Sequence, residues 1–222
     1  ASTTTPLLLG RLGADRIQGD LERFGVLSQL RNRGYPEPRV EVGADAGLGP
    51  VLRVWGEADR RHLLVELRTQ VDRGSLPGHP LLRVEWLLLQ DPRAVFTPTR
   101  PPLPGQRHPG LGSLADVVAW LVTLCQELEL DGIVFRTGHW HVAALARRYL
   151  HFLSPEDAER FARIQARVQG RTLAEAAATL HPEGAPAGDD PWADLEFVIP
   201  VGPGLEGRTV PLSTGAQGTG KG

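Results

Sequence analysis

A glycine-rich turn is the stretch of this sequence whose residues are best suited to bind an anion. It runs from Gln106 to Gly112 with the sequence QRHPGLG and stands directly before a predicted helix. Glycines at such a place let backbone N–H groups approach a ligand, and the helix dipole makes this end positive. The glycine turn, residues 106–112, is therefore a candidate phosphate site with Arg107 at its rim. His108 is equally suited to contact a phosphate or to face solvent.

A predicted strand precedes the glycine turn and would position it. Leu82–Leu89 is apolar except for Arg83 and Glu85, which predicts a central strand covered on both faces. Glu85 would then be a half-buried or more deeply buried carboxylate, suited to act as a general base or to pair with an arginine. Proline-rich residues 91–105 connect this strand to the turn.

The helix after the turn is strongly indicated. Ser113 and Asp116 have the spacing of a capping pair, and apolar residues recur at helical spacing from Leu114 to Leu128. Residues 133–135 then predict a short buried strand, and residues 142–150 predict another helix.

The first part of the sequence predicts a helical segment followed by an antiparallel meander of strands. Leu7–Leu9 is a candidate first strand. Ala14–Leu30 has helical spacing interrupted by Gly19 and Gly25, so we expect one kinked helix or two short ones. Alternation and turn residues predict three further strands, near residues 40–42, 51–55 and 63–67.

The last part of the chain predicts two capped helices, a strand and a tail. Ser154 caps a helix through about Val168, and Thr172 caps a second one up to Leu180. These helices form an addition at about 154–181, before a strand at 195–201. Because residues 203–222 are rich in Gly, Pro, Thr and Ser, we expect a single domain over 1–202 and a flexible tail at 203–222.

The composition is that of a globular protein and argues against two classes of partner. Hydrophobic residues make up 41% of the chain, and the net charge of −2 gives no case for binding nucleic acid or an anionic membrane. Cys125 is the single cysteine, so the chain contains no disulfide, and no apolar run is long enough to span a membrane. These features predict a cytoplasmic protein.

The glycine turn and its neighbours resemble the GNAT superfamily of acyl-CoA-dependent N-acyltransferases. Residues 107–112, RHPGLG, match that family's R/Q-x-x-G-x-G/A loop. In the family this loop joins a central antiparallel strand to a long helix, which a strand and a helix follow; the same order is predicted here, and the resemblance in element order covers Leu7 to Phe152. It implies an α+β fold with a GNAT-like central, mostly antiparallel twisted sheet flanked by helices, to which the C-terminal helical pair is added.

The resemblance also implies a co-substrate and roles for particular residues. The diphosphate of acetyl-CoA or another acyl-CoA would lie against the glycine turn, and its pantetheine arm would run between the diverging strands 82–89 and 133–135. Glu85 would take the proton of the attacking amine, and Tyr149 would protonate the departing thiolate. The implied co-substrate-binding residues are Arg107, His108, Gly110, Leu111, Gly112, Ser113, Leu87, Leu88 and Leu89.

Two histidines beside a tryptophan form a second cluster. His139, Trp140 and His141 are candidate substrate-pocket residues. In an extended segment the two imidazoles would point to opposite faces, and no third ligand is evident, so we expect no metal. The other tryptophans singled out, Trp55, Trp86 and Trp120, are expected in the core.

Three functions are compatible with these residues. The first is acyl transfer to a small-molecule or protein amine. The second is a non-catalytic, GNAT-shaped interaction or regulatory module in which the loop 91–105 and the added helices bind another protein. The third, metal-dependent hydrolysis using His108, His139 and His141, lacks identifiable carboxylate ligands. A strand edge and the helical addition are both candidate surfaces for a homodimer.

Overall fold

One open mixed sheet runs through the part of the chain that the structure describes. The computed structural model describes residues 6–181, 192 and 194–211. The strand order is β1-β2-β3-β4-β5-β7-β6-β8; β4 and β5 are parallel, and the other neighbours are antiparallel. The expected α+β class is confirmed. The strands are β1 Arg39–Asp45, β2 Gly49–Trp55, β3 Leu63–Asp72, β4 Leu81–Leu89, β5 Gly132–Arg136, β6 His151–Phe152, β7 Glu196–Pro200 and β8 Val210–Pro211.

Six α-helices accompany the sheet within the described residues. Gly25 adopts φ +79°, a left-handed conformation that divides the first helical segment into two helices, as predicted, whereas Gly19 lies within α1 and does not interrupt it. Short 3-10 helices occur at Arg147–Tyr149 and Pro203–Leu205. The α-helices are α1 Ala14–Arg23, α2 Val26–Asn32, α3 Leu114–Glu127, α4 Trp140–Ala146, α5 Pro155–Ala166 and α6 Leu173–Leu180.

A main hydrophobic core packs the helices against one face of the sheet. It includes Ile17 and Leu21 of α1, Leu67 of β3, and Leu121 and Leu124 of α3, all nearly or completely buried. A smaller cluster covers part of the opposite face, formed by Leu81, Val134, Val198 and Leu205. The region where β4 pairs with β5 is thereby buried on both faces, whereas the rest of β4 is not.

A β-bulge at Glu85 interrupts β4. Val84 pairs with Thr69 and Trp86 with Arg68, so Glu85 is an extra residue without a partner on β3. Side chains that pack on the main core come from even positions before the bulge and odd positions after it: Leu82, Val84, Leu87 and Leu89.

The bulge corrects two expectations about β4. An apolar run suggested a strand covered on both faces, but Glu85 is exposed and Trp86 is 50% exposed. The run is instead an alternating strand with one inserted residue, whose outward positions include a tryptophan. The placement of Trp86 in the core is therefore wrong, whereas Trp120, 2% exposed, is confirmed as a core residue; Trp55 is half-buried.

The two ends of the described chain differ from expectation. Leu7–Leu9 does not form a strand; Leu8 makes only an isolated bridge to Leu12. The proposed flexible tail is wrong for residues 203–211, because Leu205 is buried and Val210 pairs with Phe152. Residues 212–222 lie outside the described part of the chain.

The helical addition agrees with its sequence signals. Ser154 Oγ accepts a hydrogen bond from the Asp157 N–H at 3.2 Å and caps α5. Thr172 and Glu175 form a reciprocal capping box at the start of α6. No helix among residues 6–181, 192 and 194–211 has both the length and the apolar character of a bilayer-spanning segment.

Candidate functional site

The glycine turn lies against the end of β4. The Asp91 N–H donates to the Pro109 carbonyl oxygen at 2.7 Å, which joins the first residues after β4 to the turn. A Cβ placed on Gly110 would be 3.6 Å from the Leu89 carbonyl oxygen. Arg100 Nη2 donates to the Gly110 carbonyl oxygen at 2.8 Å, so the proline-rich connection also holds the turn. Strand and turn thus form one continuous surface.

Backbone donors accumulate where the turn enters α3. Within the described residues, the N–H groups of residues 110–114 donate no hydrogen bond. Gly112 has φ +76°, a conformation that glycine adopts without strain, and it is exposed. Unpaired N–H groups at the positive end of a helix are suited to bind an anion with several oxygens.

The expected capping pair at this helix start does not form. Ser113 is 1% exposed, and its Oγ has no hydrogen-bond partner among the described residues. The Asp116 carboxylate instead accepts from Gln29 Nε2 of α2 at 2.5 Å. The capping prediction for Ser113 and Asp116 is therefore wrong, because a neighbouring helix supplies a competing donor. The helix start keeps its unpaired N–H groups.

Three guanidinium groups surround or flank the turn. Arg107 is exposed, as a residue at the rim of the turn should be, and His108 is partly buried. Arg100 contacts Gly110 as described. Arg33, which follows α2, was not singled out from the sequence; its Nη2 lies 3.6 Å from the position that a Cβ on Gly112 would occupy. No local signal identifies Arg33, because only the packing of α2 beside α3 brings it to the turn.

The buried carboxylate of Asp91 holds the side chain of Arg33 beside the turn. Its side chain is 6% exposed and accepts from Tyr35 Oη at 2.7 Å, the Arg93 N–H at 3.2 Å and Arg33 Nη1 at 3.3 Å. Burial raises the pKa of Asp91, but the hydrogen bonds from Tyr35, Arg93 and Arg33 outweigh it and leave the pKa below its usual value. Burial and the Asp91 carboxylate raise the pKa of Tyr35 to about 12. Asp91 is thus a buried, ionised anchor.

The parallel pairing of β4 with β5 stops before the turn. Its last pair is Val84 with Phe135, and β5 ends at Arg136, whereas β4 continues to Leu89. Beyond the bulge at Glu85, β4 therefore has no strand partner on this side among the described residues. We call this side of β4 the β4–β5 gap.

Backbone groups of β4 alternate between β3 and the β4–β5 gap. The Gln90 N–H donates to the Leu64 carbonyl oxygen at 3.0 Å, so residues two apart from Gln90 also direct their backbone groups to β3. Leu88 consequently bonds to β3, while the N–H and C=O groups of Leu87 and Leu89 point to the gap. Of the three leucines predicted to contact a ligand by their backbone, Leu88 is not available.

Glu85 stands at the inner end of this gap, but on the surface. It accepts a hydrogen bond from Gln70 Nε2 at 2.6 Å and is exposed, so the expectation of a buried carboxylate is wrong. It does not pair with Arg83, which instead binds Asp72 and Glu196. The bulge accounts for both differences, since it places Glu85 and Trp86 outside the core. Glu85 is accessible to an incoming substrate.

The histidines form an imidazole cluster, which we define as His139, His141 and His181. The rings of His139 and His141 stack at 5.4 Å with an interplanar angle of 13°. The opposite faces expected for an extended segment do not occur, because α4 begins at Trp140. His139 Nδ1 lies 3.3 Å from His181 Nε2. A third histidine, from the end of α6, therefore joins the pair.

His141 is the buried member of the imidazole cluster, and burial disfavours the charged form of its ring. His141 is 4% exposed, and burial, with contributions from His139 and His181, lowers its pKa to about 4. Trp140 is also buried, at 6% exposure, so it does not face an open pocket. Across the described residues, no group of three or more His, Cys, Asp or Glu side chains is arranged to hold a metal ion.

Tyr149 lies outside this cluster. It ends the 3-10 helix after α4 and is 46% exposed. An exposed phenol is available for proton transfer only if a bound substrate reaches it.

Two surface grooves occur away from the glycine turn. One of about 350 Å³ lies along β1 and includes Val40, Glu41 and Arg53. Another of about 480 Å³ includes His151 and Thr209 near the last strand. Neither contains a residue of the glycine turn or of β4. We consider the turn the better candidate because its backbone donors at a helix start are unpaired within the described residues, whereas Arg53 and Arg60 of the first groove are paired with carboxylates.

Comparisons with known proteins add no relative. Neither the scan against protein-family models nor the searches of curated proteins and of solved structures find a match for the chain. Function must therefore be argued from the glycine turn and the β4–β5 gap.

Proposed function

We propose that the protein is an acyl-CoA-dependent N-acyltransferase of the GNAT type. The observation that carries the proposal is the β4–β5 gap, with the glycine turn against its outer end: β4 and β5 stop pairing after Val84, and Gly110 adjoins Leu89. This arrangement is suited to an extended ligand with a phosphorylated end. Acyl-CoA is such a ligand.

The diphosphate of acyl-CoA fits the glycine turn chemically. Residues 110–114 offer backbone N–H donors without partners among the described residues. Arg100 and Arg107 add positive charge. Several donors at a helix start, together with guanidinium groups, match the several oxygens of a diphosphate.

The pantetheine arm would follow β4 from the turn toward the bulge. Leu87 and Leu89 direct backbone donors and acceptors to the gap, where the amides of the arm would extend the sheet. At ~3.3 Å per residue, the strand from Leu89 to Glu85 spans roughly 13 Å. The thioester would then lie close to the bulge.

Glu85 is the proposed general base. The amine nitrogen would attack the thioester carbonyl, form the new C–N bond and expel the thiolate, while its proton passes to Glu85 directly or through water. Tyr149 is the proposed proton donor to the thiolate. The acceptor is a small-molecule or protein amine that reaches the exposed side of β4 at Glu85.

The test is calorimetric titration of the protein with coenzyme A and with acetyl-CoA. We expect saturable binding of both; an absence of detectable heat at millimolar ligand would reject the proposal. Turnover can be followed as thiol release across a panel of amines. Cys125 interferes little with a thiol reagent, because it is completely buried and burial raises its pKa to about 12.

A non-catalytic interaction module is the second candidate function. The observation that favours it is Val95, in the proline-rich loop 91–105, which is 78% exposed. A large exposed apolar side chain in a loop is suited to a protein contact. Isolation of a stoichiometric partner that is lost on Val95→Asp, together with no coenzyme A binding, would favour this function. Light scattering would identify a homodimer as that partner.

A further inference from the structure

We propose that Arg33 binds a phosphate of the ligand at the glycine turn. The inference deepens the proposed function, on which it rests for the identity of the ligand as acyl-CoA. Arg33 follows α2 and is remote from the turn in sequence, but its Nη2 lies beside Gly112, 3.6 Å from where a Cβ would be. The exposed backbone of Gly112 and the guanidinium therefore face the same space.

The guanidinium of Arg33 is anchored at one nitrogen, and a second nitrogen is available to a ligand. Nη1 donates to Asp91 Oδ2 at 3.3 Å, and Nη2 has no hydrogen-bond partner within residues 6–181, 192 and 194–211. The side chain is 35% exposed, so it is partly desolvated and accessible. Asp91 is itself fixed by Tyr35 in the core. A guanidinium anchored at one nitrogen loses little freedom when another nitrogen binds a ligand.

Two sets of donors at the turn, the N–H groups of residues 110–114 and the guanidinium of Arg33, match a ligand with two phosphates. Asp91 offsets part of the charge on Arg33, and Asp116, in the first turn of α3, is bonded to Gln29. Arg100, which donates to the Gly110 carbonyl oxygen, adds positive charge at the turn. The N–H groups of residues 110–114 would bind one phosphate, and Arg33 would bind the next. The buried hydroxyl of Ser113 also has no partner in the described part of the chain, so polar groups at this helix start are left unsatisfied.

Coenzyme A and inorganic pyrophosphate both contain a diphosphate that could bind at this position. The two sources are distinguished by titrating each compound into the wild-type protein and into Arg33→Gln. Gln is chosen because it keeps a donor for Asp91 while removing the charge. The matched control is Arg31→Gln, since Arg31 lies in α2 two residues before Arg33, is exposed, and pairs with Glu22.

We expect Arg33→Gln to raise the dissociation constant of coenzyme A about tenfold or more, and Arg33→Lys to restore part of the affinity. Pantetheine, which lacks the diphosphate, should bind both proteins equally. Arg31→Gln should change coenzyme A affinity by less than about twofold. Circular dichroism melting of each variant verifies that the fold is retained.

The outcomes distinguish a failure of the role proposed for Arg33 from a failure of the proposed acyltransferase function. Unchanged coenzyme A affinity in Arg33→Gln would overturn the role of Arg33 and leave the proposed function standing. Pyrophosphate binding that depends on Arg33, without binding of coenzyme A, would support the role of Arg33 and reject the acyltransferase. An absence of binding by either compound to the wild-type protein would overturn both.

Discussion

Gly110 adjoins the carbonyl oxygen of Leu89, and this contact makes the end of β4 continuous with the start of the anion site. A side chain at position 110 would meet that oxygen at 3.6 Å and Arg100 Nη2 at 4.0 Å, which are ordinary contact distances. The position therefore has room for a substitution that changes ligand binding without disrupting the fold.

Gly110→Asp should abolish coenzyme A binding, because it places a negative charge among the donors intended for a diphosphate. Gly110→Asn is the matched control of similar volume without the charge, and we expect it to weaken binding much less. Calorimetric titration of both variants measures the difference. Retained affinity in Gly110→Asp would mean that the anion binds elsewhere.

Glu85→Gln should lower the rate of acyl transfer roughly 10²- to 10⁴-fold, the usual contribution of a positioned base. Coenzyme A affinity should not change, since Glu85 is proposed to contact the amine and not the diphosphate. Steady-state kinetics and calorimetry together separate the two effects. The exposed Glu37 provides a control as Glu37→Gln; equal activity in both variants would remove Glu85 from the mechanism.

His141 should make the protein less stable as pH falls from about 6.5 to about 4. Its folded pKa of about 4 lies below the ordinary value of 6.5, so the unfolded chain binds the proton more readily in this range. The resulting loss of unfolding free energy between pH 7.5 and pH 5 is about 2 kcal/mol.

Urea unfolding at these two pH values measures that loss, with His141→Asn as the non-titrating variant. Its stability should depend less steeply on pH than that of the wild type. His151, whose pKa burial also lowers, is present in both proteins and contributes equally. An unchanged pH dependence in the variant would show that His141 is not the titrating group.

Trp86→Ala and Trp120→Ala should differ strongly in stability. Trp120 is 2% exposed within the main core, and its truncation should cost about 3–5 kcal/mol. Trp86 is 50% exposed on the outer side of β4, so its truncation should cost less than about 1 kcal/mol. Urea unfolding of both variants compares them directly; similar losses would place Trp86 in a packed environment.

Most elements could be predicted from the sequence because they are encoded locally. Apolar spacing indicated α3, Gly25 marked the division of α1 from α2, and Thr172 with Glu175 marked the start of α6. The two-residue strands β6 and β8 were missed, since strands this short have no detectable alternation.

The site was predictable only where its residues are contiguous. The glycine turn and its place between a strand and a helix follow from neighbouring residues. The position of Arg33 depends on how α2 packs, and the contact of His181 with His139 depends on how α6 packs against α4. The exposure of Glu85 depends on a single inserted residue, which an apolar run does not reveal.

The pairing of β3 with β4 does not require Glu85, because the bulge adds this residue to β4 without a partner on β3. Without it, Val84 and Trp86 would follow one another in regular alternation, and Leu87 and Leu89 would keep their places in the core. Deleting this residue should therefore leave a foldable strand while straightening β4 beside β5. The one position of β4 that the fold can dispense with is the one that carries an exposed carboxylate at the inner end of the gap.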